Sequence, residues 1–188
     1  IFLLSFKELA AKSGAPIVGR GSVSKGGMGA GGGSFAGAIV DVKIDPETGK
    51  TTVLKFTCVQ DAGKAIYPSF VEGQMQGGSA QGIGWALNEE YFMTDDGRMT
   101  NSSLLDYRMP TSLDLPMIDT IIVEVPSDGH PYGVRGVGEA NIVSPPAAVA
   151  NAIYHATGVR QSRLPMNPAS ITKGLQNHRS DILNSMNC

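Results

Sequence analysis

The stretch FAGAIVDVKIDPETGKTTVLKFTCVQ, residues 35–60, decides the fold. Its two arms, Phe35–Asp45 and Thr51–Gln60, are rich in the β-branched and aromatic residues that are typical of strands. Between the arms, the segment from Asp45 to Lys50 contains Asp, Pro, Thr and Gly, which are residue types that favour a turn. The stretch therefore predicts a β-hairpin.

A helical pattern follows the hairpin over Pro68–Leu87, although five glycines interrupt it. Each glycine within a helix costs about 0.5–1 kcal/mol relative to alanine, so the glycines need a compensating role. Glycines and amide side chains alternate from Gln74 to Gly84. Close packing against another helix is one interpretation, and a carboxamide directed at a polar ligand is the other.

The remaining segments predict further short elements. We expect short strands at Tyr91–Thr94 and Met99–Leu105 around an Asp95-Asp96-Gly97 turn, and a further strand at Asp119–Val125. One helix is expected at Phe6–Ala11, and a second from an N-cap at Ser144 through Ala156. A third is expected from Asn167-Pro168 to about Leu175. No repeat and no linker divides the chain. The predicted class is α+β, with a β-hairpin, short strands and glycine-rich helices.

We expect residues 1–188 to form one portion of a single domain. Residues 1–33 are expected to be an incomplete edge that contains a glycine-rich loop, with apolar surface exposed there. Residues 34–175 are the expected core, and residues 176–188 a polar tail.

The composition excludes several kinds of partner. The formal net charge is −2 and Lys and Arg gather in no run, so neither nucleic acid nor an anionic membrane is expected. No apolar stretch approaches the roughly 20 residues that a membrane helix needs. Cys58 and Cys188 are the two cysteines, and neither stands at metal-ligand spacing, so we expect no metal ligands here. Without a disulfide framework, the cytoplasm is the favoured compartment.

The segment Gly19–Gly33 predicts a loop, and within it Gly27, Gly29 and Gly32 match the letters of a dinucleotide-binding fingerprint. That fingerprint requires a strand before it and a helix after it. Here a predicted strand follows, so nucleotide binding by this loop is not expected.

A carboxylate ends a second glycine-rich motif, Gly133–Ala140. Glu139 stands between Val137 and a predicted helix. One interpretation is a favourable interaction with the positive end of that helix, worth about 0.3–1 kcal/mol. The other is a general base whose pKa is set by apolar surroundings against the pull of the helix terminus. The motif alone leaves both interpretations open.

Taken in order, these segments resemble the C-terminal part of the molybdopterin-binding subunit of the xanthine dehydrogenase and aldehyde oxidase family, the molybdenum hydroxylases. The resemblance runs from about Gly29 to Leu175 through Asp61-Ala62-Gly63, Glu72-Gly73-Gln74, Gln81-Gly82-Ile83-Gly84, Gly136-Val137-Gly138-Glu139 and Ser144-Pro145-Pro146-Ala147.

The resemblance implies a role for two residues. Glu139 matches the family's active-site glutamate, which removes a proton from a hydroxyl at the molybdenum centre so that its oxygen can attack an electron-poor carbon. Gln74 matches a glutamine that hydrogen-bonds the molybdenum–molybdopterin cofactor. The carbon that is hydroxylated would belong to a small molecule such as an N-heterocycle or an aldehyde.

The resemblance also implies partners. The remainder of the molybdopterin subunit would supply the other cofactor-binding segments, and iron–sulfur clusters and FAD would be carried on other domains or subunits. By itself the chain would then be inactive. The alternative is an isolated structural module that binds no cofactor.

Overall fold

The computed structural model describes residues 3–22 and 33–186, with side chains as far as residue 180. Its elements are α1 (Phe6–Ser13), β1 (Phe35–Ile44), β2 (Thr51–Asp61), α2 (Pro68–Leu87), β3 (Ile118–Val123), a 3-10 turn (Pro131–Gly133), α3 (Ala140–Thr157) and α4 (Pro168–Met186). Helices around one small sheet confirm the α+β class. Most of the glycine-rich loop Gly19–Gly33, with Gly27, Gly29 and Gly32, lies outside the described residues, as does Cys188.

The predicted hairpin is confirmed. Strands β1 and β2 pair antiparallel from Phe35↔Asp61 to Ile44↔Thr51. In the turn, the Asp45 carboxylate accepts a hydrogen bond from the Glu47 backbone N–H at 2.9 Å. Gly49 has φ +72°, a left-handed conformation that glycine adopts without strain. Local turn chemistry therefore sets the hairpin register.

The third strand lies parallel to β2, so the sheet order is β1-β2-β3. Side chains from β2 alternate between the two faces of the sheet, and Phe56 and Cys58 enter the core with 0% exposure. The predicted core position of Cys58 is thus confirmed, and burial raises the pKa of its thiol. The opposite face carries exposed Ile39 and Ile121.

Helices α2 and α3 pack on each other and cover the inner face of the sheet. A Cβ atom at Gly82 would lie 2.8 Å from the Pro145 ring, and one at Gly78 would lie 3.3 Å from the Asn141 backbone. Glycine is therefore needed at both positions for the helix axes to approach. This supports the close-packing interpretation for these two glycines.

Helix α3 begins earlier than the sequence predicted. Ser144 was expected to be the N-cap, but the helix starts at Ala140, and Ser144, Pro145 and Pro146 lie inside it. Pro145 is buried against Gly82, so packing on α2 extends the helix toward its N-terminus. A proline holds φ near the helical value, and tertiary contact here overrides the local start signal.

The two predicted strands at Tyr91–Thr94 and Met99–Leu105 are wrong. Only an isolated bridge joins Met93 to Met99, although the Asp95-Asp96-Gly97 turn between them is present. The Asn101 side chain accepts from the Phe92 N–H at 3.0 Å and donates to the Glu90 carbonyl at 2.7 Å. Backbone bonds from Thr94 N–H to the Arg98 carbonyl and from Thr100 N–H to the Phe92 carbonyl close the turn, and the Asn101 side chain makes the next contacts in place of a longer ladder.

The two terminal helices differ in how well they were predicted. Helix α1 ends at Ser13, two residues beyond the predicted end at Ala11, and Gly14 caps it in a left-handed conformation. None of its residues is buried, and Leu3 and Phe6 are exposed by more than 90%. Helix α4 continues to Met186, beyond the predicted end at Leu175. No proline or glycine follows Gly174 to stop it.

Candidate functional site

The loop that ends at Glu139 is fixed to the C-terminal end of β2. The Arg135 N–H donates to the Ala62 carbonyl at 3.0 Å, and the Lys64 N–H donates to the Gly133 carbonyl at 2.8 Å. An isolated bridge between Gly63 and Val134 lies between these bonds. The end of β2 thus acts as a platform for the loop.

An ion pair reinforces the same junction. Arg135 Nε lies 3.1 Å from Asp61, and the two side chains are 12% and 13% exposed. The Asp61 carboxylate also accepts from the Gly63 N–H at 2.9 Å and the Val125 N–H at 3.1 Å. Burial alone would raise the pKa of Asp61, but these hydrogen bonds and the Arg135 charge outweigh it and hold that pKa below its ordinary value.

A buried carboxamide pair lies directly beneath the loop. Gln60 and Asn141 are each 1% exposed. Gln60 Nε2 donates to the Gly136 carbonyl at 2.9 Å, and Gln60 Oε1 accepts from Asn141 Nδ2. The Ser34 hydroxyl donates to the same Gly136 carbonyl.

Glu139 ends the glycine-rich turn, as the sequence predicted, and it occupies the N-cap position of α3 that the sequence assigned to Ser144. Its side chain is exposed and makes no capping hydrogen bond to the helix. The carboxylate is therefore free of the local bond that most N-cap side chains form. It still lies in the positive field of the N-terminus of α3.

Gln74 lies in the second turn of α2, and its side chain is exposed. A Cβ atom at Gly138 would lie 3.6 Å from Gln74 Oε1, so the Gln74 amide is beside the residue that precedes Glu139. The fold thus brings the two predicted site residues to one edge, where α2 meets the start of α3. Gly73 and Gly77 have no atoms within 4 Å of an added Cβ, so this part of α2 presents an open surface.

Sequence reasoning missed the residues beneath this edge. Asp61 was noted only within a motif, and Gln60, Arg135 and Asn141 were assigned no role. Each acts through a partner that is distant in the sequence, so no local pattern could reveal it. Gln60 alone could have been noticed, because it follows Phe56 and Cys58 on the inward face of a predicted strand. A carboxamide at such a buried position needs hydrogen-bond partners.

The described residues form neither a metal-ion site nor a membrane-spanning helix. Within residues 3–22 and 33–186, no three His, Cys, Asp or Glu side chains are grouped in a way that could hold a metal ion. In the part of the chain that the structure describes, no helix combines the length and the apolar character that crossing a membrane requires.

Comparison with known proteins gives consistent similarities. The family model for the molybdopterin cofactor-binding domain matches residues 3–116. The xanthine dehydrogenase molybdenum-binding subunit of Escherichia coli O157:H7 is 39% identical over 72% of this chain and 18% of its own length. The 6-hydroxypseudooxynicotine dehydrogenase complex subunit gamma of Paenarthrobacter nicotinovorans is 38% identical over 71% of this chain and 17% of its own length.

A solved structure gives the same result in three dimensions. The crystal structure of quinoline 2-oxidoreductase from Pseudomonas putida 86 superposes with a TM-score of 0.68 and 40% identity, over 72% of this chain and 18% of that chain. The chain therefore spans less than a fifth of the length of each of these three relatives.

Proposed function

Because the chain belongs to the molybdopterin cofactor-binding domain family, we propose that it forms part of a molybdenum hydroxylase and supplies that enzyme's catalytic base. The reaction is hydroxylation of an electron-poor carbon with oxygen derived from water. When bound, the molybdenum cofactor supplies the activated oxygen and accepts the electrons that leave the carbon.

One observation carries the proposal. Gln74 on α2 and the turn that ends at Glu139 come from separate parts of the sequence, yet their atoms meet at one exposed edge. An amide that can donate and accept lies beside Gly138, and the next residue, Glu139, carries a carboxylate without a capping bond to its helix. That pair of functions suits a polar cofactor and a proton transfer next to it.

We assign the role of general base to Glu139. Its carboxylate can accept a proton, and its exposed side chain can reach a group bound at this edge. The exposed side chain makes no capping bond that would have to break first. Its backbone is held by the platform at the end of β2, so the position of the base is set by the sheet.

We assign the cofactor contact to Gln74. Its exposed carboxamide can donate to an oxygen of the cofactor, and Gly73 and Gly77 leave the neighbouring surface without side chains that would block approach. These residues therefore fit a bulky polar group at this edge. The remaining contacts would come from the rest of the molybdopterin subunit.

The proposed substrate is a small electron-poor molecule, either an N-heterocycle or an aldehyde. The names of two relatives, quinoline 2-oxidoreductase and 6-hydroxypseudooxynicotine dehydrogenase, support nitrogen-containing aromatic substrates. Iron–sulfur clusters and FAD are proposed to reside on partner domains or subunits.

Replacing Gln74 with Ala in the assembled enzyme tests the cofactor assignment. A hydrogen bond to a charged partner contributes about 1.5–3 kcal/mol, so we expect cofactor affinity or turnover to fall roughly 10- to 100-fold. Molybdenum content and steady-state rate are the measurements. Gln76→Ala is the matched control, because Gln76 donates instead to the Ile118 carbonyl at 3.3 Å. Unchanged molybdenum content together with an unchanged rate in Gln74→Ala would refute the assignment.

The alternative is that the chain alone is an inert structural module. Molybdenum content of the purified chain, with and without the rest of the subunit, separates the two possibilities. The proposed function predicts stoichiometric metal only when the rest of the subunit is present. An assembly whose molybdenum content and turnover are both the same with and without this chain would favour the inert module.

A further inference from the structure

We infer that Gln60 is a positioning residue for Glu139, because its buried carboxamide binds the chain on both sides of that glutamate. The inference rests on the proposed role of Glu139 as the base. It adds a residue on β2 that acts through the loop and touches neither substrate nor cofactor.

Gln60 makes hydrogen bonds to the chain both before and after Glu139. On one side, Gln60 Nε2 donates to the carbonyl of Gly136 at 2.9 Å. On the other side, Gln60 Oε1 accepts from the side chain of Asn141, in the first turn of α3. One side chain therefore fixes the entry to the turn and the start of the helix, with Glu139 between them.

Arg135 anchors the entry to the turn and the Ser34 hydroxyl also donates to the Gly136 carbonyl, whereas packing at Gly136 and Gly138 adds little. An added Cβ at Gly136 would meet only Ser34 Oγ, at 3.8 Å, and one at Gly138 would meet only Gln74 Oε1, at 3.6 Å. Val137 is partly buried against the core, but the Glu139 side chain makes no capping bond. The direction of the carboxylate thus depends on the hydrogen bonds at Gly136 and Asn141.

Burial makes these bonds hard to replace. Gln60 and Asn141 are each 1% exposed, so water cannot substitute for a lost partner without rearrangement. In the described part of the chain, Asn141 Oδ1 has no hydrogen-bond partner, and Gln60 binds the amide end of the same side chain. The Gln60 side chain reaches both groups and presents a donor and an acceptor at its end.

The test compares Gln60→Leu with Asn101→Leu in the assembled enzyme. Asn101 is the matched control because it is a 6% exposed carboxamide that also bridges two groups of the chain, the Glu90 carbonyl and the Phe92 N–H. For Gln60→Leu we expect kcat to fall about 10- to 100-fold with KM and molybdenum content near wild type. Amide hydrogen exchange should accelerate at residues 136–142. Asn101→Leu should accelerate exchange only around its own loop and leave kcat near wild type.

A second variant gives a readout that a purely structural role would not change. In Gln60→Glu, the protonated carboxyl can donate to Gly136 and accept from Asn141, whereas the ionised carboxylate repels the Gly136 carbonyl. We therefore expect activity to be retained at low pH and lost as this carboxyl ionises, which adds an alkaline limb to the pH profile of kcat. This variant also decides the question if Gln60→Leu does not fold.

Three outcomes overturn the inference. They are unchanged exchange at residues 136–142 in Gln60→Leu, accelerated exchange there with unchanged kcat, and a Gln60→Glu pH profile identical to wild type. Failure of the proposed function has a different signature, because it would appear as an active Glu139→Gln enzyme whatever the Gln60 variants do.

Discussion

Glu139→Gln is expected to lower kcat about 10²–10⁴-fold, which is the range that general-base catalysis contributes. The amide keeps the size and shape of the side chain but cannot accept the proton. Because Glu139 makes no capping hydrogen bond in α3, the substitution removes no bond that holds the helix. Molybdenum content should stay near wild type, and kcat should be measured under saturating substrate.

The matched control is Glu47→Gln in the hairpin turn, where the glutamate is exposed and remote from the candidate site. That variant should keep wild-type kcat and metal content. Near-normal turnover of Glu139→Gln would end its assignment as the base. Loss of the cofactor in Glu139→Gln would assign the residue a structural role.

The sequence predicted the parts of this site that depend on local chemistry. Alternating strand residues and turn residues indicated the hairpin, and the long apolar pattern indicated α2 with Gln74 on it. The glycine-rich turn placed Glu139 immediately before a helix. In each case the residue pattern and the element that it predicts lie in the same segment, so the local sequence is enough to predict the element.

The contacts that hold the Glu139 loop in place could not be predicted from local sequence. The Asp61–Arg135 ion pair and the Gln60–Asn141 carboxamide pair join residues that only the folded sheet brings together. The early start of α3 has the same origin, because contact with α2 extends the helix past the cap that the local sequence favours. Tertiary contacts, rather than propensity, set the position of Glu139.

The glycines of α2 serve two surfaces, which explains why the helix tolerates so many. Gly78 and Gly82 face α3 and permit close approach, whereas Gly73 and Gly77 face away and leave an open surface beside Gln74. Close packing, one of the two interpretations that the sequence left open, therefore applies to the face with Gly78 and Gly82. The open face with Gly73 and Gly77 is the one where we propose that the ligand binds.

Gly63→Ala is expected to lower the free energy of unfolding strongly and to cause a loss of activity. Gly63 has φ +64°, and an added Cβ would lie 2.8 Å from the Arg135 backbone nitrogen and closer still to the Gly133 carbonyl. Backbone strain costs about 1–2 kcal/mol and overpacking about 1–3 kcal/mol, so stability should fall by about 2–5 kcal/mol. The midpoint of denaturation by urea is the measurement.

Gly97→Ala is the control that separates the cost of backbone strain from the cost of the steric clash made by the added Cβ. Gly97 has φ +81° but no atoms within 4 Å of an added Cβ, so it should lose only the strain contribution, about 1–2 kcal/mol, and keep full activity. Gly63→Ala should also lose turnover, because the atoms that its Cβ displaces belong to the loop that carries Glu139. Equal stability losses in the two variants, with wild-type turnover in both, would show that the contact between Gly63 and the loop does not position the base.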